Sequence, residues 1–232
     1  MLDILGKRYL FFAISALLIV PGLIVLAIWG LPLSIDFEGG TLLYLSFKSG
    51  VLPAPGDVVE LYNEFGVTDA SVTTSGNDTL IIRSSFMDEV QIGNLVEEMG
   101  ARFNDTVTVD RSDSVGPTIG REVTSRAAMA VGIAALAVII YITLAFRGVQ
   151  HSFRYGVCAI IAMVHDVLVV LSLAAVGGLL FGWQADSLFL TALLSVIGFS
   201  VQDKVVVFDR IRENSAIYRR LPFETLANHS IV

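Results

Sequence analysis

Two acids lie inside long apolar stretches, and they are the first candidates for chemistry. Asp166 sits beside His165 in the run from Tyr155 to Phe181. Asp203 follows an uncharged run that opens at Leu188 and reaches Gln202. A charged acid at the bilayer centre costs about 2.5–3.5 kcal/mol on the insertion scale, so such acids usually face a helix bundle and serve ion or proton traffic. At 1.5 Å per residue, Asp166 stands about 18 Å from Arg154 and Asp203 about 14 Å from Arg212. Antiparallel helices would bring the two acids to similar depth. Positions 199, 203, 206 and 210 share one face of such a helix. From residue types alone, two readings of Asp203 stand level: a proton-exchanging carboxyl, and an ordinary ion pair with Lys204 or a neighbouring subunit. For Asp166, a proton role and a packing hydrogen bond near His165 stand equally open. Asp209, Arg210 and Glu213 read as an ion-pair cluster at the end of the same run.

Four apolar spans must carry these residues. A helix needs about 20 mostly apolar residues to cross a bilayer. Tyr9 to Ser34 is uncharged and follows Lys7 and Arg8. It is too long for a signal-peptide core and lacks an Ala-x-Ala cleavage site, so it reads as a retained anchor. Pro21 near its middle is tolerated in a membrane helix. The second span is Ala127 to Phe146, closed by Arg147. The third and fourth are the acid-bearing runs. The composition agrees, with 54% apolar residues, 16% charged residues and a mean hydropathy of +0.73. A typical soluble domain has roughly 25% charged residues.

The same composition excludes several functions. A net charge of −7 argues against nucleic acid, because binding phosphates needs a basic surface. The single cysteine, Cys158, rules out an internal disulfide, a Cys-based zinc site and an iron–sulfur cluster. It reads as a small lipid-facing or packing residue. No P-loop, no G-x-G-x-x-G after a strand and no H-E-x-x-H occurs. We therefore expect no metal, no cofactor and no enzymatic activity. Short loops rich in Lys and Arg stay in the cytoplasm. Lys7 and Arg8, then Arg147 and Arg154, then Arg210, Arg212, Arg219 and Arg220 all fall on one side if the N-terminus is inside.

The long insert then lies outside. Residues 35–120 hold 14 acids and 4 bases. Thr41 to Phe47 alternates as a strand with Leu43, Leu45 and Phe47 on one face. Val58, Leu61, Tyr62 and Phe65 have helical spacing. Ala70 and Val72 alternate, and Ser75 to Asp78 reads as a turn into Leu80, Ile81 and Ile82. Ser85 and Asp88 suggest a capping box for a helix burying Ile92, Leu95, Val96, Met99 and Phe103. Val107 and Val109 close with a strand. The order βαββαβ is ferredoxin-like. The remaining sheet face offers no aromatic platform for RNA. The expected fold is thus an α-helical polytopic membrane protein with a small extracytoplasmic α+β ferredoxin-like domain. Its expected division is 1–34 (tail and first span), 35–120 (head) and 121–232 (spans two to four and an arginine-rich cytoplasmic end).

Three motifs carry a family resemblance. Ile35-Asp36-Phe37-Glu38-Gly39-Gly40-Thr41 follows the first span. Val115-Gly116-Pro117-Thr118-Ile119-Gly120-Arg121-Glu122 precedes the second. Gly198 to Asp203, then Val205 to Asn214, ends the fourth. Together they resemble SecF of the SecD/SecF protein-export family, itself similar to resistance-nodulation-division transporters. The related SecD subunit has a much larger extracytoplasmic region. The resemblance implies proton-driven assistance to protein translocation across the bacterial cytoplasmic membrane. It implies as partners SecD, the SecYEG channel, YajC, an exporting polypeptide and membrane lipid. It tips Asp203 towards a proton relay with Asp166. It also implies six spans, with a basic partner in the fifth, so the chain is expected to stop after the fourth span, with a fifth approaching near Pro222. Gln202 stands where Asn is usual and Lys204 where a small residue is usual. Asp36, Gly39, Gly40, Gly116 and Pro117 are expected to link head and membrane. The Gly pair is read as a turn, since Asp36 and Glu38 would repel a bound anion. Two other readings stay open: a scaffold that carries no protons, and a piece of a small-molecule exporter of the same superfamily.

Overall fold

A computed structural model describes residues 3–76, 78–145 and 152–231. It resolves into two compact units, one of residues 33–126 and one of residues 3–32 with 127–231. The unit 33–126 is the head. It is built from β1 (Gly40–Phe47), α3 (Pro55–Glu64), β2 (Ser71–Ser75), β3 (Thr79–Ser84), α4 (Glu89–Phe103) and β4 (Val107–Val115), after a short helix α2 (Ile35–Glu38). The sheet order is β2-β3-β1-β4, and every pairing is antiparallel. The expected βαββαβ order is therefore present.

The core follows from the alternation and the helical stripes. Leu43, Leu45 and Phe47 from β1 pack with Leu80 and Ile82 from β3. Val58, Leu61 and Tyr62 from α3 and Ile92, Leu95 and Met99 from α4 complete the cluster. Two local expectations change. The capping box is formed by Asp88 with Gln91, each side chain bonding the other's backbone N–H. Ser85 stays in the preceding loop, because the chain is held by Met87 N–H donating to Thr41 Oγ1 at 2.9 Å. The last strand also runs on past Val109 to Val115, opposite Gly40. A bulge between Tyr44 and Leu45 offsets the register.

The second unit holds α1 (Arg8–Trp29), most of α5 (Pro117–Ala145), α6 (Ser152–Phe181), α7 (Ser187–Ile217) and α8 (Phe223–Ile231). Four of these helices, α1, α5, α6 and α7, are long and apolar enough to cross a membrane. The uncharged run from Tyr9 to Ser34 is not one helix. It stops at Trp29, with Gly30 N–H donating to Leu26 O, and Ser34 caps α2 through the Asp36 N–H. Pro32 accounts for the break, since it has no N–H and clashes with a continuing helix. Helix α5 starts at Pro117, a favoured first helical residue. It therefore begins ahead of the expected span at Ala127 and runs through the expected division at residue 120. Phe146 and Arg147 lie outside the described residues.

Packing against α6 is close for α1. Gly22 is buried, and a Cβ added there would lie 2.1 Å from Ser172 Cβ. Ser172 Oγ donates to Ile19 O at 3.2 Å. Small side chains at such contacts let membrane helices approach closely. Where a fifth span was expected to approach, residues after Pro222 form the nine-residue α8. Leu226 and Ala227 of α8 bury against Ile211 and Leu5. Asn228 Oδ1 accepts from the N–H groups of Ile4 and Leu5.

Candidate functional site

The chemistry-bearing residues of the membrane unit meet where α6 and α7 pack. Residues 200 and 204 are one helical turn apart and share a face of α7. That face meets Asp166 on α6. Lys204 Nζ donates to Asp166 Oδ2 at 2.5 Å and to Ser200 Oγ at 2.6 Å. Ser200 Oγ donates to the same carboxylate oxygen at 2.9 Å. The other oxygen, Oδ1, lies 3.0 Å from His165 Nδ1. Ser200 is 7% exposed and the Lys204 side chain 18%, so the cation is bedded between helices. Ala159 and Met163 of α6 pack with Ile197 and Val201 of α7 and Ile142 of α5 to form the neighbouring apolar cluster.

Asp203 is in a different setting. It precedes Lys204 by one residue, so its side chain leaves α7 about 100° away. It is exposed and has no partner among the described residues. Of the two readings that stood level for Asp203, the ion pair with Lys204 is not formed, because Lys204 reaches across to α6 instead. Lys204 thereby places a base beside Asp166, between α6 and α7. Beside Asp203, Gln202 lines a cavity of about 490 Å³ with Ala137, Val138 and Tyr141 of α5 and Gly198, Val201 and Val205 of α7.

Further along α7, the expected cluster is present with altered pairing. Asp209 pairs with Arg212 at 2.6 Å, and Arg210 with Glu213 at 3.7 Å. Cys158 is exposed. Among the described residues no group of three His, Cys, Asp or Glu side chains could hold a metal ion.

Within the head unit, the segments expected to be linkers are packed against each other. Gly39 and Gly40 have φ of 80° and 128°, in the region that favours glycine. A Cβ on Gly40 would lie 2.7 Å from Ser84 O. Gly120 in the first turn of α5 comes so close that its Cβ would lie 2.6 Å from Gly39 N, and one on Gly39 would lie 3.0 Å from Pro117 Cα. Thr124 Oγ1 donates to Phe37 O at 2.8 Å. Asp36 lies in the single turn of α2, and Gly116 has open space around it. Sequence reasoning missed Arg83, which holds this region by donating to Leu33 O at 2.9 Å and Glu38 Oε2 at 2.8 Å. It also missed Ser200. The four-residue interval between Ser200 and Lys204 was the available signal.

Comparison with known proteins identifies the family. Residues 95–232 match the family model described as "Protein export membrane protein SecD/SecF, C-terminal". Over all 232 residues the chain is 74% identical to a protein translocase subunit SecF from Anaerolinea thermophila. The chain belongs to the SecD/SecF family, as a SecF member. A SecF from Thermobaculum terrenum is 40% identical over the whole chain. The chain spans 75% and 76% of the lengths of these two relatives. A crystal structure of SecDF from Thermus thermophilus, described as a translocon-associated membrane protein, matches with a TM-score of 0.77 at 28% identity. That match covers 99% of this chain and 30% of the SecDF chain. The protein is thus a multi-pass membrane protein of a protein-export family.

Proposed function

We infer that this SecF-family chain works with SecD in the bacterial cytoplasmic membrane, using proton flow to help draw an exporting polypeptide out of the SecYEG channel. YajC is a further partner in this reading. The carrying observation is Asp203: an acid on a membrane-length helix, exposed and unpartnered among the described residues, one residue from a paired base. An acid so placed can take up and release a proton without first breaking an ion pair. One proton crossing 100 mV releases about 2.3 kcal/mol, which biases a two-state equilibrium about 50-fold. The head lies outside and both described ends lie inside, following the arginines. Movement of the spans passes to the head through α5, which is continuous from Pro117 to Ala145.

The test is Asp203→Asn in the full-length protein, which keeps size and hydrogen bonding but cannot cycle charge. It is expected to co-purify with SecD and to lose proton-gradient stimulation of export. Wild-type stimulation in an assembled Asp203→Asn complex would remove the proton role and leave a scaffold.

A further inference from the structure

We propose that Lys204 is a fixed countercharge that takes Asp166 out of proton traffic and leaves Asp203 as the exchanging acid; this rests on the proton-driven reading above. The arrangement of donors carries the argument. Lys204 Nζ, Ser200 Oγ and Asp166 Oδ2 form a closed triangle of contacts at 2.5, 2.6 and 2.9 Å. Asp166 Oδ1 faces His165 Nδ1 at 3.0 Å. Both carboxylate oxygens are therefore engaged. For Asp166 to bind a proton, the mostly enclosed Lys204 ammonium would lose its partner, which is unfavourable. A paired acid and base also carry no net charge across the bilayer, so moving them couples weakly to the membrane potential.

Among the described residues no other charged group competes at this point. On α6 the titratable neighbour of Asp166 is His165, and on the facing stretch of α7 they are Lys204 and Asp203. Helix α1, packed along α6, carries no titratable side chain between Tyr9 and Trp29. Between Ala127 and Ala145, α5 carries only Tyr141. Lys204 is accordingly a positioning residue: it holds Asp166 and stays away from Asp203.

Breaking the pair from one side has a specific consequence. Asp166→Asn leaves the Lys204 ammonium without its countercharge, so the field of a cation one residue from Asp203 is no longer neutralised and acts on that carboxylate. Removing both charges, with Asp166→Asn and Lys204→Met, removes that field again.

The experiment uses the full-length protein with SecD in membrane vesicles, measuring gradient-stimulated translocation of a reporter polypeptide across pH, with assembly checked by co-purification. Asp166→Asn alone is expected to lose most of the stimulation and to displace its pH profile. The double variant is expected to recover stimulation and the wild-type profile; the displaced pH profile of the single variant is the readout that a merely structural pair would not move. A double variant as impaired as Asp166→Asn makes Asp166 a carrier and overturns the proposal. A wild-type complex indifferent to the gradient would instead sink the proton-driven reading itself. Independently of any variant, a carbodiimide, which modifies protonated membrane carboxyls, is applied to the wild-type complex and the adducts are mapped by mass spectrometry. An adduct on Asp203 with none on Asp166 supports the assignment; an adduct on Asp166 overturns it.

Discussion

At the scale of single residues, the Tyr62 hydroxyl in the head is a buried polar group without a partner among the described residues. The Tyr62 ring is fully buried. Burial pushes the phenol well above its usual range. An unsatisfied buried hydroxyl costs about 1–3 kcal/mol. Tyr62→Phe is therefore expected to stabilise the head by about 1 kcal/mol, read as a higher urea midpoint for proteolytic protection of residues 33–126. Asp105 is the opposite case. The Ser49 hydroxyl at 2.5 Å, followed by the N–H groups of Ser49 and Thr106, holds its carboxyl below the ordinary value of 3.8. A depressed acid contributes stability above pH 3.8 that fades as pH falls through the folded value. Asp105→Ala should unfold more easily at neutral pH, while the two proteins draw together as the pH falls from 3.8 through the lower folded value. Acid unfolding curves of both proteins check this.

Between elements, contact distance governs what the chain tolerates. Helices α1 and α6 meet at Gly22 and Ser172 with no room for a Cβ. Overpacking a tight contact costs about 1–3 kcal/mol. Gly22→Leu is expected to reach at least the upper end and to lower the unfolding temperature in detergent, with Gly22→Ala milder. Equal stability of all three proteins would mean that the helices do not touch there. The glycine pair after α2 shows how much of this was legible. Gly39 and Gly40 were readable as a turn. That Gly120 must also be small was not, because its constraint comes from Gly39 N, 81 positions away along the chain.

For the whole molecule, the membrane orientation rests on arginine placement, and it is open to a direct check. With Cys158 replaced by Ser, a cysteine at exposed Ser75 in the head should react with an impermeant thiol reagent added to intact cells. One at exposed Arg219, beyond α7, should react only after the membrane is opened. The reverse pattern would invert the topology and remove the basis for a head that meets the polypeptide outside. The charge pattern supports the first outcome, since 14 of the 18 charged residues in 35–120 are acids and the positive-inside preference counts Lys and Arg.

Hydropathy and periodicity were enough to give four spans, the βαββαβ order and most of the head core, because these are properties of neighbours along the chain. Leu43, Leu45 and Phe47 alternate in the sequence and are buried together. The family was legible too, from motifs around Asp36, Gly116 and Asp203. Other features belonged to the tertiary structure alone. For Asp203 and Lys204, adjacent in sequence, an ion pair was one of two level readings. Helical geometry turns them 100° apart, and the rotation of α7 against α6 decides that Lys204 meets Asp166, 38 residues away, instead. The same holds for Ser200 and for Arg83, whose partners come from other elements. A local pattern specifies which face a residue occupies; which charge waits on the opposite face depends on how two helices pack, and that is set by all their contacts at once.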